Sequence, residues 1–246
     1  MREPYEQPIL ENISENNSEM RHVFVETNWV VSYAAPAHHK LQVPAAEELL
    51  DRAANNEILL HLPSICVSEA RRPIQERFKV RTEADRIRQF LLWAKDEEHI
   101  TEEETEITRR VLDKMEGFVK HDLGRLETTL AGLKGKPGLE IFDLTQIMAQ
   151  RCTDLSFQKL GIQAFDQMIL AAILVRSEEL SKSGEEDIVF CEIDADLQPW
   201  NSDRELKQPL ATLYDNARVW VYGDFLMQAP AKREGWPGQP AQAPKT

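Results

Sequence analysis

The sequence predicts an α/β protein, a three-layer α/β/α sandwich built on a mostly parallel central sheet of about five strands. Three observations carry that prediction. Five short runs have strand character: "HVFVE" (22–26), "EILLHL" (57–62), "LEIFDL" (139–144), "DIVFCEI" (187–193) and "RVWVYG" (218–223). They are rich in β-branched and aromatic residues and almost continuously apolar, as strands covered on both faces are. Helical patterns alternate with them along the chain, which is the signature of a parallel sheet with crossover helices.

Taken in order, "VPAAEELLDRAANN" (43–56) carries apolar residues at Ala46, Leu49, Leu50 and Ala53, one face of a helix. Between Ser68 and Gly138 lies a long, highly charged stretch with no convincing strand, read as a helical insertion over about residues 70–138. Within it, "TEADRIRQFLLWAKDEE" places Ile87, Phe90, Leu91 and Ala94 on one side. The next segment repeats Ile107, Val111, Leu112, Met115, Val119, Leu123, Leu126 and Leu130 at spacings of three and four. Two amphipathic helices forming a hairpin follow from this, with "KGKPG" ending the second because Gly and Pro both oppose continuation. "AFDQMILAAILVRSEELSK" (164–182) is apolar nearly all round and predicts a core helix.

The termini differ in kind. Residues 1–20 are polar and Asn/Glu-rich, and 228–246 are rich in Pro, Gly and Ala; both compositions predict disorder around one ordered domain spanning 21–227. No apolar leader opens the chain, and its longest apolar run, Met168 to Val175, is too short to span a bilayer, so no membrane partner and a cytoplasmic location are expected. Cys66, Cys152 and Cys191 are odd in number and widely spaced, which reads as reduced thiols rather than a disulfide framework. The six histidines, including His38 and His39, are placed in loops or helices and given no metal role.

The net charge of -13 excludes an indiscriminate nucleic-acid coat protein. A local basic run stands out nonetheless: Arg71 to Arg88 holds seven basic residues against three acidic ones. Either solvation of a helix or phosphate contact explains it.

Acidic residues recur where apolar elements begin or end. Glu26 ends the first strand, Glu69 follows "LHLPSICVS", Asp166 opens the core helix, and Asp194 and Asp196 follow "DIVFCEI". In an open parallel sheet these places share one edge, where ligand sites form. Several carboxylates there would repel one another unless a cation lay among them. An all-oxygen donor set suits Mg²⁺ or Mn²⁺ rather than zinc. Taken singly, each acid also has an ordinary explanation as a solvated strand end, a favourable charge at a helix N-terminus, or a turn residue.

The ordered set "VFVETNWVV", "LPSICVSEA", "FDQMILAAIL" and "VFCEIDADL" resembles the PIN-like domain, a metal-dependent ribonuclease fold also found in the toxins of toxin-antitoxin pairs. The resemblance covers about His22 to Leu197 and implies an endoribonuclease. Glu26, Glu69, Asp166 and Asp194 would hold Mg²⁺ or Mn²⁺, with Asp196 as a further ligand and Thr27 and Asn28 in support. Arg71, Arg72 and Arg77, which lead into the insertion, would contact substrate phosphates. RNA is the implied substrate and DNA the alternative. An antitoxin-like protein partner and an oligomer are compatible with the resemblance, as is a PIN-like binding module that has lost turnover. The family's first acid is typically Asp; Glu26 is one methylene longer, and the insertion makes this chain larger than minimal members.

Overall fold

The computed structural model describes residues 20–34, 43–72, 80–203 and 205–227. The expectations for residues 1–19 and 228–246, for His38 and His39, and for Arg77 lie outside the described residues.

The five strands are β1 (Arg21–Phe24), β2 (Ile58–Pro63), β3 (Leu139–Phe142), β4 (Ile188–Cys191) and β5 (Trp220–Tyr222). Every pairing is parallel and the order is β3-β2-β1-β4-β5. The predicted strand centres are right, but every ladder except β2 is shorter than its apolar run. β1 stops at Phe24, so Glu26 lies two residues past the strand instead of ending it. The reason is that Val25 makes the last ladder bond, to the His61 carbonyl, and the chain then turns into a helix.

The described helices are α1 (Thr27–Ala34), α2 (Val43–Ala54), α3 (Ser64–Glu69), α4 (Val80–Asp96), α5 (Glu102–Leu133), α6 (Gln146–Ser156), α7 (Ala164–Lys182) and α8 (Leu210–Asn216). They cover both faces of the sheet. α1, α2 and the C-terminal part of α5 form one layer, and α6 with α7 forms the other. Between them Phe24, Leu60, Leu62, Val189, Phe190 and Val221 are fully buried, which accounts for strands that lack polar alternation.

The insertion is the predicted hairpin of α4 and α5. Thr101 starts α5: its hydroxyl accepts the Glu104 N–H at 3.2 Å, and the Glu104 carboxylate accepts the Thr101 N–H at 2.8 Å. This reciprocal cap satisfies two end groups that the helix itself cannot. Gly135, at φ 101°, follows the end of α5 as "KGKPG" implied. Thr145 caps α6 by accepting the Met148 N–H, an element the sequence reading passed over because it shows little apolar periodicity. α8, which precedes β5, has no counterpart among the predicted helices.

Gly138, just before β3, marks a close approach. Its φ is +69°, and a Cβ there would lie 2.0 Å from the Ala53 carbonyl oxygen on α2. Gly138→Ala should therefore force α2 and β3 apart at a rigid backbone contact, lowering stability by about 2 kcal/mol in urea unfolding.

Candidate functional site

The strand order reverses at β1, whose neighbours are β2 on one side and β4 on the other. Ligand crevices form at such a point, beyond the carboxyl ends of the strands. β1 and β4 run in register, with Val23 beside Val189 and Phe24 beside Phe190. Carried two residues further, the same register sets Glu26 beside Glu192. The two segments even share a pattern, Val-Phe-Val-Glu and Val-Phe-Cys-Glu.

Both glutamates are buried, Glu26 at 3% exposure and Glu192 at 0%. Each turns one oxygen back onto a backbone N–H two residues ahead. The Asn28 N–H donates to Glu26 Oε1 at 2.7 Å, and the Asp194 N–H donates to Glu192 Oε1. Glu192 Oε2 is buried with no hydrogen-bond partner. Burial, and then the nearby Asp194 and Glu69 carboxylates, push the Glu26 carboxyl up to about 8 against the pull of the Asn28 N–H. Burial and Glu26 push Glu192 upward as well. Sequence reasoning missed Glu192 because it placed this residue inside a strand and assigned the site to the acids after it. The repeated tetrapeptide was the signal that identifies it.

The other acids come from three separate elements. Glu69 ends α3, and its Oε2 accepts the Thr27 hydroxyl at 2.5 Å. Thr27 thus joins the start of α1 to α3 and fixes where the Glu69 carboxylate points. Asp166 sits in the first turn of α7; burial and then the charges of Asp194, Glu69 and Asp196 push its carboxyl up to about 6. Asp194 is exposed and its Oδ1 accepts the Asp196 N–H at 3.0 Å, a turn that carries the chain away from β4. Cys66, fully buried among the same carboxyls, has its thiol pushed up by burial and by Glu26. A thiol held protonated there is inert, in line with the reading of the cysteines as reduced and structural.

Asp194 and Glu69 thus act on Glu26, the same two and Asp196 act on Asp166, and Glu26, Asp194 and Asp166 act on Glu192. Among the described residues, however, no three His, Cys, Asp or Glu side chains stand in an arrangement that could hold a metal ion. One physical reason is visible: the backbone N–H groups of Asn28 and Asp194 hold one oxygen each of Glu26 and Glu192. The chemistry of the set still fits a hard cation. All donors are oxygens, and an unpaired buried carboxylate oxygen is the kind of group that a cation would satisfy.

The basic residues stand apart from one another. Arg71 makes a two-pronged pair with Glu127 of α5 at 2.7 and 2.6 Å, tying the insertion to the end of α3. Arg72 lies 3.7 Å from Glu69 Oε1, beside the acidic cluster.

Two histidines correct the sequence reading. His22 and His61 lie on β1 and β2 and are buried in the sheet, with neither in a loop or a helix. His22 Nδ1 and His61 Nε2 are 2.9 Å apart, and His61 Nδ1 lies 2.5 Å from Glu140 Oε2 on β3. Arg176 of α7 completes the line, donating to Glu140 Oε1 at 2.8 Å. The His61 hydrogen bond, with Arg176, holds the Glu140 carboxyl down at about 2, while burial lowers His61. A neutral His61 donating its Nδ1–H to an ionised Glu140 satisfies both. The network anchors the same helix that carries Asp166 at its other end.

No helix among the described residues is long and apolar enough to cross a membrane. No protein-family description, no curated protein and no solved structure matches the chain.

Proposed function

We propose that the chain is a metal-dependent nuclease that hydrolyses RNA phosphodiester bonds with Mg²⁺ or Mn²⁺ held at the carboxyl edge of the sheet. One observation carries this reading: buried and half-buried carboxyls from β1, α3, α7 and β4 converge at the point where the strand order reverses. Packing so many acids together is costly, and a bound cation would offset that cost.

Glu26, Glu69, Asp166, Asp194 and Glu192 are the residues that would hold the cation, with Asp196 adjoining. A bound Mg²⁺ or Mn²⁺ supplies an activated water and neutralises charge developing on phosphate oxygens. Thr27 orients Glu69, and Arg72 sets a positive charge beside it where a phosphate would approach. Burial and the neighbouring acids raise Asp166 to about 6, a repulsion that a bound cation would relieve. RNA rather than DNA rests on the resemblance to PIN-like domains.

The test is cleavage of single-stranded RNA and DNA in millimolar Mg²⁺ or Mn²⁺, beside a chelated control, with the melting temperature followed in the same solutions. Divalent-dependent RNA cleavage and an upward shift in melting are expected. The absence of both effects would overturn the reading. A second reading, a PIN-like binding module without turnover, draws on the backbone bonds that now occupy Glu26 and Glu192. A melting shift without cleavage selects it.

A further inference from the structure

β4 ends at Cys191 and α8 begins at Leu210, and side chains hold the chain between them by its carbonyl oxygens. The Gln198 amide donates to the Glu192 carbonyl at 3.0 Å, and the Tyr214 hydroxyl to the Leu197 carbonyl at 3.0 Å. The Lys207 ammonium donates to the carbonyls of Ala195 at 2.6 Å and Asp196 at 3.2 Å. Lys207 is itself placed by its backbone N–H, which donates to the Pro199 carbonyl at 2.9 Å, and by the antiparallel bridge between Trp200 and Leu206.

An amide and a hydroxyl serve two of these carbonyls, so closing the loop does not by itself call for a charge. Lys207 brings one to the turn that carries Asp194 and Asp196. Burial lowers its ammonium, against the pull of Asp196 and Asp194. The two carbonyls engage two of the three ammonium donors, and the third is left for a group outside the loop. Because two bonds already fix the charge in place, little side-chain freedom is left to lose when a ligand arrives.

The position of Lys207 says what that ligand is. β2 and β4 flank β1, and their carboxyl ends are two strand spacings, about 10 Å, apart. Arg72 lies beside Glu69 on the β2 side, and Lys207 holds the turn on the β4 side, so the acids stand between two cations. A nucleic-acid strand laid along this edge sets one phosphate over the acids and its neighbours to either side. The acids repel those flanking phosphates unless a base stands under each.

We propose that Lys207 is a substrate-binding residue, whose third N–H takes the phosphate next to the scissile one on the β4 side, as Arg72 takes the one on the α3 side. The proposal rests on the RNA reading given under Proposed function and adds the path of the strand, across the carboxyl edge from α3 to the loop after β4. Each phosphate neutralised on a single strand contributes about 0.7 to the slope of log affinity against log salt, which makes the Lys207 contact countable.

Fluorescence anisotropy of a ~12-nucleotide oligo-uridine with the full chain, at about 50 to 200 mM salt, gives that slope. Millimolar Ca²⁺ serves as the cation, since it takes oxygen ligands with looser geometry than Mg²⁺. Lys207→Gln keeps two amide donors for the carbonyls and removes the charge. It should lower the slope by about 0.7 and weaken binding about fivefold near 0.1 M salt. Lys207→Arg should retain the wild-type slope, and so should Lys182→Gln, the same loss of charge in the last turn of α7. An unchanged slope in Lys207→Gln, an equal loss in Lys182→Gln, or a wild-type chain that binds no RNA would each overturn the proposal, and the last would take the RNA reading with it. A shifted slope without divalent-dependent cleavage would support the Lys207 contact and overturn turnover alone.

Discussion

Asp166→Asn is expected to leave the fold intact and to reduce divalent-dependent cleavage by at least about 100-fold, because it takes one negative charge from the set that would hold the cation. Asn keeps the size of the side chain and removes its charge. Its contribution to α7 as an N-terminal acid is roughly 0.3–1 kcal/mol. Repulsion from Asp194, Glu69 and Asp196 opposes that contribution, so little stability is at stake. Turnover measured beside a thermal melt separates the two effects. Wild-type turnover in a folded Asp166→Asn protein would remove this residue from the chemistry.

Glu192→Gln is expected to stabilise the metal-free protein at pH 8.5, by about 2 kcal/mol or roughly 4–8 °C in melting temperature, and to diminish the response to Mn²⁺. The neutral amide still offers an oxygen to the Asp194 N–H. It removes a buried ionisable group whose Oε2 has no partner. The pH dependence follows from the signs. Glu26 and Glu192 titrate above their ordinary range in the folded chain, so the unfolded chain releases their protons first. Their destabilising effect is absent below about pH 4.5 and grows above it, and for Glu26 it is complete only past about 8. Raising the pH from about 5 to 9 should thus weaken the metal-free wild type, and Glu192→Gln should flatten that decline. The acid limb has the opposite origin. His61 is lowered and Glu140 is held at about 2, so their contributions are lost as the pH falls below about 6.5 and about 4.5 respectively. Stability in the absence of metal should peak between the two limbs. A Glu192→Gln protein with the wild-type melting point at pH 8.5 would mean that the Glu192 carboxyl is not strained.

Much of this protein is written locally. α7 occupies the predicted 164–182, because a long apolar run opened by an acid and closed by lysine and serine has one stable conformation. α5 follows its Thr-x-x-Glu cap and ends where Gly135 permits the turn. α6 and α8 escaped because both are short and show little apolar periodicity, and packing rather than propensity holds them. The acids at element ends were also visible, but not their environments. Glu26 read as a strand end with a choice between water and a cation, yet in the fold it is nearly shut off from water and bonded to its own backbone. His61 gave no sign in the sequence that Glu140, from a strand 79 residues later, would meet it.

Local composition and periodicity settle where the five strands and the longer helices α2, α4, α5 and α7 fall, and that the sheet is covered on both sides, since these depend on neighbours a few residues apart. That Glu26 and Glu192 lie side by side, that Asp166 shares their field, and that two histidines span the sheet was decided only when strands distant in the chain paired. Register and burial are properties of the assembled sheet, and desolvation, which pushes Glu26, Asp166 and Glu192 upward, does not exist until the layers close over them.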